Sequence, residues 1–223
     1  MLNFGACADA LLYFVWIGLI MEEDNAAELV LDATKRLYSR SMNTTLSGNV
    51  SHRIGEDRML ITPSGMDKAR IKASELSVLE LDSESLVRGP KQSSEYHVHT
   101  RIYRMFPEIR AVVHPHAPHS MGVISALGAK AVIDEISDSD EEYGYYITKA
   151  ASVGIMKAGT VEIGDSVANA VKNGAKVVIM ENHGTVGVGE TMQKALDRVE
   201  YFEYMVKRLH IRHLEQLCFR PSR

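Results

Sequence analysis

Residues 111–120 read AVVHPHAPHS, which places His114, His116 and His119 directly after a run of apolar β-formers. Side chains two apart on a strand share a face, so His114 and His116 can reach one metal ion while Pro115 faces away. Pro115 also removes a ladder donor, which puts the pair at a strand end or edge, where a site can open to solvent. A polar loop closing a buried strand is the plainer reading of the same residues. The stretch VVIMENHGTVG supplies a third imidazole, His183, after another apolar strand and beside Gly184, whose missing side chain lets backbone come close. Three imidazoles with an open position are the donor set of catalytic rather than structural zinc. A second HxH, His97 and His99, falls in a segment that reads as helical. Positions two apart on a helix point to nearly opposite faces, so that pair shares no ion. His119 is expected at a helix start, facing the pocket rather than the metal.

Glu95 follows Ser93 and Ser94 at the start of the same helical segment. In a first turn an acid ordinarily serves the helix dipole. Beside a divalent cation and a carbonyl substrate, the same carboxylate can act as a general base. Three small polar turns, LSGNVS (46–51), TPSG (62–65) and KQSSE (91–95), offer backbone N–H groups and hydroxyls. Each alone reads as a turn or cap. Together they can cradle a phosphate, with Ser93 and Ser94 at a helix N-terminus, where orphan donors and the dipole favour an anion. Lys91 reads as a solvated or phosphate-steering charge.

The elements that must position these side chains follow from periodicity. Leu29, Ala33, Leu37 and Tyr38 predict a helix over 22–41, opened by an acidic first turn after Met21. Strands are expected in TTLSGNVSHRI after its turn, at Met59–Ile61 before Pro63 and Gly65, and in LSVLELD (76–82). Further strands are expected in IRAVVHPH (109–116), VGIMKAG (153–159) and AKVVIMENHG (175–184). Helices are expected over 94–106, with Ser93 or Ser94 as N-cap, and over 118–128, 163–173 and 190–216. DEISDSDEEYGYY (134–146) is the strong charge run. Several strands are joined by turns too short for a helical crossover, so the chain reads as one α/β domain with a mixed or antiparallel sheet.

Composition bounds the rest. The chain has 223 residues, 45% hydrophobic and 24% charged, with a net charge of −4, and lacks the basic cluster a nucleic-acid partner would need. Cys7 and Cys218 lie at opposite ends without metal-type spacing, which argues against a disulfide framework and for a reducing cytoplasm. Residues 1–20 contain no Lys or Arg, and their apolar stretch from Ala10 to Ile20 is shorter than the about 20 residues of a membrane span. They read as a hydrophobic extension from an upstream start, with 21–223 as the domain; a membrane anchor is the competing reading.

The set SGNVS, TPSG, SSE, HPH and ENHG, in this order and with these separations, resembles the class II aldolase/adducin family, most closely its zinc-dependent L-fuculose-1-phosphate aldolase branch. The resemblance runs from about residue 24 to about residue 207. It implies a three-layer α/β/α fold around a mostly antiparallel sheet, and a homotetramer with active sites at subunit interfaces. It implies one Zn²⁺ per subunit held by His114, His116 and His183. Glu95 would then be the acid/base and a metal ligand before substrate arrives. Gly48, Asn49, Ser64, Gly65, Ser93 and Ser94 would hold the substrate phosphate. The implied reaction is reversible cleavage of a short sugar 1-phosphate to dihydroxyacetone phosphate and an aldehyde, through an enediolate that the ion stabilises.

Two positions depart from that pattern. Leu46 stands where a hydroxyl residue often precedes the SGN turn, leaving Thr45 as the nearby hydroxyl. A tyrosine expected some twenty residues past the histidine pair has no clear match: Glu135 falls near that place, and Tyr143, Tyr145 and Tyr146 lie further on. Sister activities of the family are pentulose-5-phosphate 4-epimerases, which usually carry aspartate where Glu95 stands, and a methylthioribulose-1-phosphate dehydratase. The adducin head, a scaffold that keeps the fold without the metal, is the non-enzymatic alternative.

Overall fold

Alternation along the strands decides the layers. The computed structural model describes residues 4–219, with side chains described from residue 21 onward. Its strands are β1 (Asn49–Ile54), β2 (Arg58–Ile61), β3 (Ser77–Glu80), β4 (Leu86–Arg88), β5 (Ala111–His114), β6 (Ala150–Val153), β7 (Val177–Met180) and β8 (Gly184–Gly189). They form one sheet in the order β4-β3-β2-β1-β5-β8-β7-β6, and every neighbouring pair is antiparallel except β6 and β7. Around it lie α1 (Phe4–Ser39), α2 (Tyr96–Met105), α3 (Pro118–Leu127), α4 (Ala129–Ser139), α5 (Val161–Lys172) and α6 (Met192–Cys218).

In β5, Ala111 and Val113 face the cluster built by α1 and the start of α6, whereas Val112 faces the cluster built by α2 and α5. Val177 and Ile179 of β7 meet α3, α4 and the middle of α6, while Val178 and Met180 meet α5. Both of these strands are therefore apolar on both faces, the condition for a sheet covered by helices on both sides. Each fully buried aliphatic side chain in these clusters contributes roughly 1.5–3 kcal/mol. The result is the expected three-layer α/β/α fold with a mostly antiparallel sheet.

Several expectations are corrected. The helix expected to begin near Met21 is the C-terminal part of α1, which runs without a break from Phe4. No proline interrupts that stretch, so nothing in it forces a stop. The acids at its expected start act as braces: Glu22 pairs with Arg110 and accepts from the Gly55 N–H at 3.2 Å, and Glu23 pairs with Arg88. The N-cap of α2 is Glu95, not Ser93 or Ser94. The strand expected over 153–159 lies earlier, at Ala150–Val153, where the chain can pair in parallel with β7. The charge run 134–146 is the end of α4 followed by a π-helical turn, Tyr143–Ile147. Strand β8 follows His183 directly; its glycines hid it, and they are required. A Cβ at Gly187 would stand 2.6 Å from the Ala195 carbonyl oxygen of α6.

Candidate metal centre and active site

Three element ends meet at one end of the interior strands of the sheet. Strand β5 delivers His114, and His116 lies two residues on, past the end of the strand. Its backbone N–H donates to Asn43 Oδ1 at 2.9 Å. Asn43 is in turn packed against Gly48, where any Cβ would fall 2.4 Å from the Asn43 side chain. His183 stands in the tight β7–β8 turn, after Asn182 with φ 57°. The close approach anticipated at Gly184 is present: a Cβ there would lie 2.5 Å from the Pro115 carbonyl oxygen and 2.9 Å from the His114 ring. Glu95 arrives from the opposite side, at the N-terminus of α2, beneath β1, whose Asn49 pairs with His114.

The donor atoms converge. His114 Nε2 and His116 Nε2 are 2.9 Å apart, and Glu95 lies 3.2 Å from His114 Nε2 and 2.8 Å from His183 Nε2. All four ligand atoms fall within 4.8 Å of one another, the one such group among the described residues. The tautomer follows from the next contact. His114 Nδ1 lies 2.8 Å from the Thr185 carbonyl oxygen, which can only accept, so Nδ1 carries a proton and Nε2, which faces Glu95, is the nitrogen that would ligate an ion.

Without an ion this arrangement is poorly satisfied. Glu95 Oε1 is buried and makes no hydrogen bond of adequate geometry. Burial would raise the Glu95 carboxyl, but the charge and hydrogen bonding of His114, with His116 and His183, outweigh it and hold it well below the usual carboxylate range. Burial pulls His114 down, and Glu95 more than reverses that; His116 stays lowered, chiefly by burial. A buried carboxylate facing three converging imidazole nitrogens, with one oxygen unpartnered, is a donor set suited to a divalent cation. The residues present fit the ion.

The family model for the class II aldolase and adducin N-terminal domain matches residues 28–210. The chain belongs to the class II aldolase and adducin family. Among its relatives, a methylthioribulose-1-phosphate dehydratase of Methylococcus capsulatus is 32% identical over 82% of this chain and 91% of that protein. A 5-methylthioribulose-1-phosphate/5-deoxyribulose-1-phosphate aldolase of Rhodospirillum rubrum is 32% identical over 75% and 72%. A 3-oxo-tetronate 4-phosphate decarboxylase of Haemophilus influenzae is 28% identical over 81% and 84%. Among solved structures, a sugar-phosphate aldolase from Thermotoga maritima superposes with a TM-score of 0.77 at 21% identity, covering 90% of this chain and 98% of its own. As a class II aldolase family member, the chain is an enzyme of that superfamily, and its Glu/His₃ group could hold a metal ion.

The three polar turns assemble beside this centre. Ser64 N–H donates to the Lys91 carbonyl at 2.9 Å, Ser93 N–H to the Thr62 carbonyl at 3.2 Å, and Lys68 N–H to the Thr45 carbonyl at 2.8 Å. Ser64, Gly65 and Ser94 are exposed; Ser93 is buried, and its hydroxyl accepts from the Glu95 N–H at 3.3 Å. The Asn49 side chain is engaged with Glu95, donating to Oε2 at 2.9 Å. Leu46 is exposed, and Lys91 is solvated as expected.

His119 is at a helix start and turned away from the metal cluster, as expected; its ring faces His210, with centroids 5.8 Å apart, in a different pocket from the one at the metal cluster. Glu135 is tied to α6 through Arg212 at 2.5 Å and His213 at 2.9 Å. Tyr143 accepts from the Ala150 N–H, Tyr146 stacks on Tyr201 at 3.6 Å, and Tyr145 is exposed. His97 and His99 do diverge: His97 reaches Glu84 at 2.9 Å, and His99 turns inward to Asn49 and Ser51. Sequence reasoning missed His99, although its signal was present. It lies four residues after Glu95, hence on the same side of the helix start.

Proposed function

We propose that the protein is a zinc-dependent lyase of the aldolase type that reversibly cleaves a short ketose 1-phosphate, of the fuculose-1-phosphate kind, to dihydroxyacetone phosphate and an aldehyde. The observation that carries this reading is the convergence of three imidazole Nε2 atoms on a buried carboxylate with one unpartnered oxygen. A nitrogen-rich set with one carboxylate suits zinc among the available divalent ions. The bound ion supplies Lewis-acid chemistry, polarising a ketone and stabilising negative charge on its oxygens.

The chain's own residues do the rest. Glu95 is buried within the ligand cluster, where its carboxylate stands beside the carbonyl an ion would hold and can take a carbon-bound proton next to it. It takes the proton from the hydroxymethyl carbon in the synthetic direction, and that carbon then adds to the aldehyde; cleavage is the reverse. Gly48, Ser64, Gly65, Ser93 and Ser94 are proposed to bind the phosphate, supported by the hydrogen bonds that link their three turns and by their place at the N-terminus of α2, before which Ser94 is exposed. Asn49 would contribute there through its backbone, since its amide is used elsewhere. A cleft of about 480 Å³ opens beside His116, lined by Tyr38, Ser39, Ser41, Asn43, Thr44 and Pro118. We place the substrate's entry there, and assign the cleft's far wall to a neighbouring subunit of a homotetramer. A cytoplasmic setting accords with the cysteine usage; among the described residues no helix is long and apolar enough to cross a membrane.

Dehydration of the same class of substrate is the second reading. Glu135, near the place of the expected tyrosine, is committed to Arg212 and His213, so the acid that would protonate an aldehyde oxygen is not supplied from that position. A relative named as a dehydratase at 32% identity points the same way. The epimerase reading is weakened by glutamate at position 95, and the scaffold reading by the complete donor set. Incubating the enzyme with 5-methylthioribulose 1-phosphate tests the proposal. Release of dihydroxyacetone phosphate supports aldol cleavage, loss of one water establishes the dehydratase, and an unchanged substrate with zinc bound removes both for this sugar.

A further inference from the structure

We propose that Asn49, His99, Ser51 and Tyr103 form a buried, one-directional hydrogen-bond relay that pins Glu95 Oε2 and leaves Oε1 as the oxygen that carries the proton. The proposal deepens the proton-transfer reading above and rests on it for its catalytic consequence. The direction of each bond follows from what its neighbour can do. A carboxylate oxygen only accepts, so the Asn49 group 2.9 Å from Glu95 Oε2 is Nδ2, and Oδ1 faces His99. His99 Nε2 must then carry its proton to donate to Asn49 Oδ1. That leaves His99 Nδ1 to accept from the Ser51 hydroxyl at 2.7 Å. Having given its one proton, Ser51 accepts from the Tyr103 hydroxyl at 2.8 Å. Tyr103 also lies 3.4 Å from the Arg110 carbonyl, a longer use of the same proton, while its oxygen accepts from the Val112 backbone.

The chain of groups is dry. Ser51 and His99 are 0% exposed, Tyr103 1%, Asn49 2% and Glu95 7%. It crosses the interface between β1 and α2, among Ile102, Val112 and Val98, where apolar side chains would be cheaper to bury. Polar groups kept in such a place cost stability unless every member is satisfied, and here the bonds run in one sense, with only the Tyr103 proton shared between Ser51 and the Arg110 carbonyl. The relay ends on the carboxylate, and it ends on only one of the two oxygens. Oε1, which has no hydrogen bond, is buried and faces His183 at 2.8 Å. Asn49 and His99 are thus positioning residues: neither touches the donor nitrogens, and together they decide which way the carboxylate turns. Supporting partners of this kind are typically worth about 10- to 100-fold in activity.

Two measurements test the relay. Nitrogen-15 imidazole NMR reads the His99 tautomer directly in the protein as purified: Nε2–H is expected, and Nδ1–H would overturn the assignment whatever the enzyme's reaction. His99→Leu keeps an apolar-compatible shape but removes the donor, and His99→Gln restores one. We expect His99→Leu to slow hydrogen exchange at the hydroxymethyl carbon of dihydroxyacetone phosphate by about 10- to 100-fold, with metal content and KM unchanged and with His99→Gln recovering most of the rate. Ser51→Ala, which leaves the packing nearly intact, should produce a smaller loss in the same direction and serves if the leucine variant does not fold. Exchange at the wild-type rate in both Leu and Ala variants would overturn the relay. Wild-type protein without any exchange would instead overturn the function proposed above, while the tautomer still judges the relay.

Discussion

Two buried carboxylates, Glu95 and Glu203, sit in the same molecule at similar depth and do opposite work. Glu203 on α6 accepts from the His119 and Ser120 backbone N–H groups at 2.9 and 2.8 Å and from the Ser120 hydroxyl at 2.6 Å. Those N–H groups are the orphan donors of the first turn of α3, so Glu203 closes a helix end and satisfies itself in one arrangement. Glu95 faces nitrogens that need an ion, keeps one oxygen without a partner, and has its other oxygen fixed by an asparagine. Depth alone therefore does not mark a functional acid. Incomplete satisfaction among converging ligand atoms does.

The comparison can be broken in several places. The largest effect is expected at the metal: His114→Ala should abolish both zinc binding and turnover, checked by metal analysis of the purified variant, and a variant that retains both would end the assignment. Next, Glu95→Gln should keep the metal and lose turnover by about 100- to 10,000-fold, the usual scale for a general base. Glu203→Ala should do the reverse. Losing three charge-assisted bonds at a buried helix end should cost about 3 kcal/mol, a Tm lower by roughly 6–12 °C, with turnover per folded molecule unchanged. A calorimetric scan beside an assay of the folded fraction separates the two carboxylates.

The smallest effect is a pH slope. Burial holds His99 down to about 3, against 6.5 for a free imidazole. The unfolded chain therefore binds one more proton between those values, and the folded state loses stability as pH falls through that window. The slope from this group is at most about 1.4 kcal/mol per pH unit. Measured in chelator, so that metal release does not contribute, the wild type should lose stability toward acid faster than His99→Leu. Equal slopes would mean that His99 does not stay neutral in the fold.

Much of the centre was legible in the residues. His114 and His116 were marked by an apolar strand that stops at Pro115, and His183 by a turn glycine whose close approach the packing then required. Asn49 and His99 were harder. A polar turn residue looks the same in sequence whether its amide meets a phosphate or a carboxylate, and only the β1–β5 register, with Asn49 opposite His114, decides it. Strand β8 escaped because GTVGVG puts glycine at two of the three positions on one face, Gly187 and Gly189, and what demands that is α6, a contact no local pattern carries. The start of α2 slipped by a residue or two because Glu95 takes the cap position with its backbone while its side chain serves the site.

The central claim is that Glu95 moves a proton beside a carbonyl held at the Glu/His₃ centre. Incubating the enzyme with dihydroxyacetone phosphate in D₂O, without any aldehyde, and following the hydroxymethyl signal by NMR tests it without knowledge of the second substrate. Deuterium uptake in the wild type, lost with chelator and in Glu95→Gln, is the predicted result. Uptake that persists in Glu95→Gln at an unchanged rate would contradict it.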